Sequence, residues 1–114
     1  MYTGKIYLDY EDNDEEQHYI CDVSRCLLRD NELVLEFSGS DEGSLFHGHC
    51  TLARLKSECK GEGVFNYDGE QAEGAEVSLT LYIDGSNLSL EGTWTDHNDA
   101  KSPYRLEADL EEVK

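Results

Sequence analysis

The chain has 114 residues, enough for one domain around a single buried core and too few for two. Nine Lys and Arg against 26 Asp and Glu leave a formal net charge of −17, which argues against direct binding to nucleic-acid phosphates or anionic membranes, because both rely on protein cations. The apolar residues recur with a regular period rather than sparsely, so disorder is not expected.

Taken in chain order, the period is two. The first predicted strand covers about Lys5 to Tyr10, with Ile6, Leu8 and Tyr10 on one face. Tyr19, Cys21 and Val23 alternate in the second, and Leu33, Leu35 and Phe37 in the third. The fourth carries Phe46, Cys50 and Leu52. The fifth carries Cys59, Phe65 and Tyr67 around two alternate glycines, Gly61 and Gly63, which mark a bend or a close approach of backbone. Val77, Leu79, Leu81 and Ile83 form the clearest run; the tight turn Asp84-Gly85-Ser86-Asn87 leads from it to Leu88, Leu90 and Trp94. Tyr104, Leu106, Ala108 and Leu110 complete the set.

Connections this short cannot carry parallel crossovers, so the expected fold is all-β: a single-domain antiparallel up-and-down meander of about eight strands spanning 1–114. An even strand number lets the first and last strands pair and remove both edges, giving a closed barrel, with a β-roll as the alternative.

In a meander, alternate loops share an end. The first, third, fifth and seventh loops hold Glu11, Asp12, Asp14, Glu15, Glu16, Asp41, Glu42, Asp68, Glu70, Glu73, Asp96 and Asp99 against Lys101, a formal −11. The opposite loops hold Arg25, Arg29, Arg54 and Lys56 against Asp30 and Asp84, a formal +2. The molecule is therefore expected to be dipolar. The same parity places Tyr10, Tyr19, Phe37, Phe46, Tyr67, Trp94 and Tyr104 beside the acidic end. Those rings form either a plug that closes the barrel or, with the carboxylates, a site for positive charge.

All four histidines fall towards the same end. A register that sets Tyr19 opposite Leu35 and Phe37 opposite Phe46 would align His18, Glu36 and His47 in one outward row, a weak candidate for a divalent metal. Cys50 and Cys59 are expected to face inward across a hairpin turning at Ala53-Arg54-Leu55-Lys56, as core thiols or, second, as a cross-strand disulfide. The Asp12-Asn13-Asp14 run lacks the glycine and flanking helices of a calcium-binding EF-hand. No nucleophile elbow, phosphate-cradling loop or matched acid–base pair is present in the sequence, so neither catalysis nor a cofactor is expected. The start Met1-Tyr2-Thr3-Gly4-Lys5-Ile6 carries no secretory pattern; if it is the native start, a cytoplasmic protein with reduced thiols is expected.

In architecture the eight-strand pattern resembles calycin-like barrels, the broad group of lipocalins, fatty-acid-binding proteins and avidins. Gly92-Thr93-Trp94 is similar to the glycine-x-tryptophan signature of some of them, although theirs lies in the first strand and this one in the seventh. No site residue is carried over, and the resemblance implies a carrier of small apolar or cationic molecules. The leading expectation is different: a non-enzymatic binding module whose acidic end engages a basic protein surface, as inhibitors or immunity-type proteins do, with aromatic anchors at the rim.

Overall fold

The computed structural model describes residues 1–12, 15–98 and 103–113, with Glu11, Asp12 and Glu15 as backbone only. These residues form eight strands: β1 (Tyr2–Asp12), β2 (Glu15–Leu28), β3 (Glu32–Asp41), β4 (Ser44–Leu55), β5 (Glu58–Tyr67), β6 (Glu73–Asp84), β7 (Asn87–Asp96) and β8 (Tyr104–Glu112). Each pairs antiparallel with the next, and β1 pairs with β8, so the sheet closes into a barrel in strict chain order. The β-roll is thereby set aside.

Alternation decides which residues enter the barrel. Ile6, Leu8, Leu33, Leu35, Leu52, Val77, Leu79, Leu88, Leu90, Leu106 and Leu110 are all buried, whereas their strand neighbours face out. Ile83 departs from this pattern at 52% exposed, because it sits where β6 runs into its turn, beyond the packed interior. In β2 the inward set changes parity: Tyr19, Cys21 and Val23 give way to Cys26 and Leu28. The register shift between Val23 and Arg25 is the cause, since one extra residue in a bulge turns every later side chain to the other face.

Glycines give the largest rings room. A Cβ on Gly48 would collide with the Phe37 ring across the β3–β4 pair, and one on Gly39 would meet Phe46 Cζ at 2.7 Å. Phe37 and Phe46 thus lie over reciprocal glycines of one hairpin. Gly63 similarly faces Trp94, whose Cη2 would stand 2.6 Å from an added Cβ. At Gly63 the close approach is therefore of an indole ring and not of backbone, whereas at Gly61 the Thr51 carbonyl oxygen would stand 3.1 Å from an added Cβ.

Among the described residues, two-residue turns close three of the hairpins. Asp84 pairs with Asn87 around Gly85 at φ 60°, as expected. Asp41 pairs with Ser44 around Glu42 and Gly43, at φ 50° and 86°. Leu55 pairs with Glu58, so the β4–β5 turn lies at Lys56-Ser57 rather than at Ala53–Lys56. This later turn sets Cys59 opposite Arg54 and Cys50 opposite Gly63, so the two cysteines do not face one another as expected. All four cysteines are buried free thiols.

The end of the barrel carrying this turn is laced together. The Arg54 guanidinium donates to the Lys56 carbonyl at 2.8 Å and the Arg29 carbonyl at 2.9 Å, while Arg54 N donates to the Asn31 carbonyl at 2.9 Å. The opposite end forms the mouth of the barrel.

Candidate functional site

The hairpins β1–β2, β3–β4, β5–β6 and β7–β8 all turn at one end of the barrel, as the loop parity required. Much of the acidic set belongs to strands that extend past the core rather than to loops. Glu11 and Asp12 lie in β1, Glu15 and Glu16 in β2, Asp41 in β3, Glu73 in β6 and Asp96 in β7. Asp14, Asp99 and Lys101, with the centre of the Asp12-Asn13-Asp14 run, lie outside the described residues.

The seven aromatic residues expected at this end separate into two storeys. Phe37, Phe46 and Trp94 are 1%, 1% and 2% exposed, and the Phe37 and Trp94 rings meet edge-on with centroids 5.5 Å apart. They fill the interior, and none is a rim anchor. Above them Tyr10, Tyr19, Tyr67 and Tyr104 are half-buried. Tyr104 packs 5.1 Å from Tyr10 and 6.2 Å from Tyr19. Phe46 joins the storeys, with ring centroids 5.6 Å from Tyr19 and 5.7 Å from Tyr67.

Phe65, which is absent from the expected aromatic layer, and Asp41, one of the expected acidic residues, complete the mouth. Phe65 is half-buried, 5.1 Å from Phe46 and 5.5 Å from Tyr67. Asp41, expected in a loop, ends β3, where it continues the inward series Leu33, Leu35, Phe37 and Gly39. Its Oδ2 accepts from the Tyr67 hydroxyl at 3.2 Å and lies 3.4 Å from the Tyr19 hydroxyl. Tyr19 also donates to Gln17 Oε1 at 2.7 Å.

Burial raises the phenol pKa values here, and neighbouring groups add to it. Tyr67 is pushed up to about 12 by burial and then by its hydrogen bond to Asp41. Tyr104 reaches about 12 through burial, Tyr19 and Asp96, and Tyr19 rises further through burial, Tyr67 and Asp41. All three hydroxyls are consequently neutral near pH 7.

Inside the rim is a cavity of about 160 Å³ lined by Leu8, Tyr19, Phe65, Tyr67, Glu73, Trp94, Asp96 and Tyr104. Its walls are aromatic, with carboxylates contributed by β6 and β7. Such surroundings favour positive charge, through ring faces and through direct ion pairing.

The outward metal row does not form. Glu36 pairs in register with Arg25 and His49, and Arg25 Nη1 lies 3.7 Å from Glu36 Oε2. His18 Nδ1 instead lies 2.7 Å from Asp9 Oδ1, and His47 Nε2 lies 3.1 Å from Asp68 Oδ1. β2 runs on to Leu28, which pairs with Leu33, and the β3–β4 hairpin turns between Asp41 and Ser44; these two turn positions, more than the single-residue bulge, carry the strands away from the assumed register. No cluster of three or more metal-ligating side chains occurs among the described residues.

The thiols also lie outside this site. Burial pushes Cys21 and Cys50 up to about 12 and Cys26 to about 11, which keeps them protonated and poor nucleophiles near neutrality. Among the described residues no helix is long and apolar enough to cross a membrane. Comparison with known proteins finds no match: no family model, no curated protein and no solved structure is similar to this chain.

Proposed function

We propose that this protein is a non-enzymatic binding module whose acidic end engages a basic protein surface in the manner of an inhibitor or immunity-type protein. The observation that carries this reading is the closed meander in strict chain order, which turns towards one end of the barrel the four hairpins that together hold a formal charge of −11. Charge gathered on one end steers a basic partner during encounter. The half-buried Tyr10, Tyr19, Tyr67 and Tyr104 supply amphipathic contact area within that charge.

A carrier for large apolar ligands receives less support. Phe37, Phe46 and Trp94 occupy the interior, and the mouth cavity of about 160 Å³ is below the roughly 300–1,000 Å³ typical of drug-sized pockets.

Charge reversal tests the proposal. Glu11, Asp12, Asp14, Glu15 and Glu16 are changed together to Lys; separately, Arg25, Arg29 and Lys56 are changed to Glu. Arg54 is left intact because its guanidinium ties two turns together. With a decalysine probe, the first set is expected to slow association at least about tenfold and flatten its salt dependence, and the second to change little. Equal effects from the two ends would defeat the reading.

A further inference from the structure

The acidic end is broad, but the cavity inside its rim is small and chemically selective. Tyr19 comes from β2, Phe65 and Tyr67 from β5, Trp94 from β7 and Tyr104 from β8, so aromatic surface surrounds the space from widely separated strands. Leu8 and the buried Trp94 contribute its apolar depth. Glu73 opens β6, and Asp96 ends β7.

We infer that this cavity receives the alkylammonium end of a lysine side chain presented by the basic partner. The inference rests on the acidic-end reading and specifies what the mouth recognises within it. An alkyl stem suits the apolar depth, while the ring faces attract the cationic head. Anions are repelled by Glu73 and Asp96, and a neutral alkyl group gains nothing from them.

The acceptors also favour ammonium over guanidinium. Glu73 and Asp96 project from different strands, and the Tyr19 and Tyr67 oxygens belong to yet other strands. Ammonium spreads three donors around a point, whereas guanidinium is a planar fork best matched by one bidentate carboxylate. Asp41 serves as a positioning residue: it holds the Tyr67 hydroxyl at 3.2 Å and lies 3.4 Å from that of Tyr19, on opposite sides of the β3–β4 hairpin. The rings are thus held before a ligand arrives, which lowers the ordering cost of binding.

The chain's single tryptophan lines the cavity, so its fluorescence can be read without ambiguity of origin. The intact protein is titrated with n-butylammonium, n-butylguanidinium and n-butanol. Butylammonium is expected to give a saturable change at concentrations at least about tenfold below either comparator. Glu73→Gln, at an exposed position, and the combination of Glu73→Gln with Asp96→Asn are expected to weaken it progressively, the pair by about tenfold. Circular dichroism verifies that each variant retains the barrel. Decalysine should displace butylammonium.

Butanol binding as tightly as butylammonium, or no saturable response to the amine, would overturn the inference. If decalysine binds through the acidic end but leaves bound butylammonium undisturbed, the lysine insertion is wrong and the acidic-end reading stands. If butylammonium binds and decalysine does not, the acidic-end reading is wrong while the cavity's preference for ammonium is upheld.

Discussion

Asp41 shows how much one carboxylate can organise. By accepting from Tyr67 and lying within reach of Tyr19, it connects β3 with β2 and β5 at the rim. Its neighbours' raised pKa values have a consequence in alkali. A phenol whose folded pKa lies above its ordinary 10.0 stabilises the fold fully below pH 10, and that contribution disappears as pH rises through the folded value. The buried thiols act with the same sign from their ordinary 9.0, with Cys26 near 11 and Cys21 and Cys50 near 12. Stability measured by urea unfolding should therefore begin to fall above pH 9 and continue falling to about pH 12. Phenolate absorbance should show delayed ionisation of Tyr19, Tyr67 and Tyr104, released when the chain unfolds. Asp41→Asn should advance Tyr67, because the hydrogen bond to the carboxylate favours the neutral phenol. A titration unchanged by unfolding would contradict the buried mouth.

The β3–β4 hairpin is held in register by more than its turn. Phe37 lies over Gly48 and Phe46 over Gly39, so a slip of two residues would drive both rings against side chains. Gly48→Ala is expected to cost about 1–3 kcal/mol, the usual range for overpacking a filled interior. Adding Phe37→Leu should recover part of that loss, since the smaller side chain yields the space the new methyl needs. Urea unfolding of both single variants and the double variant measures the coupling, and strictly additive losses would show that the ring and glycine do not constrain one another. The bulge in β2 works in the opposite direction, by altering register: it admits Cys26 to the core and leaves Arg25 outside with Glu36.

Across the whole molecule, a net charge of −17 must be accommodated on a barrel 38 Å long and 26 Å across. Some carboxylates occupy directly opposed positions, including Glu62 with Glu76 and Glu91 with Glu107. Like charges so placed oppose pairing by about 0.2–1 kcal/mol each at low salt. Glu91→Lys is therefore expected to stabilise the barrel by about 0.5–1 kcal/mol at low ionic strength, with the gain shrinking as salt is added. Thermal unfolding at two salt concentrations checks this, and a gain independent of salt would point to packing instead of charge.

The sequence by itself determined the strand set, the inward faces except past the β2 bulge and at Ile83, and the end to which the acidic hairpins turn. Each follows from local information: alternation such as Val77, Leu79 and Leu81 assigns a face, and short connections impose antiparallel order. Barrel closure and register belonged to the tertiary structure. The sequence could not choose between a roll and a barrel, because pairing of β1 with β8 joins residues at opposite ends of the chain. Nor could it align His18, Glu36 and His47, since the turns after Leu28 and after Asp41, with a bulge near Ser24, decide which side chains meet. The depth of the aromatic residues was settled in the same way. Phe37 and Phe46 sink into the core because glycines across the β3–β4 hairpin admit their rings, whereas Tyr19 and Tyr67 stay at the rim, where their hydroxyls reach polar partners. Alternation is a property of residues adjacent in the chain, but packing depth is a property of residues that become neighbours only when strands pair.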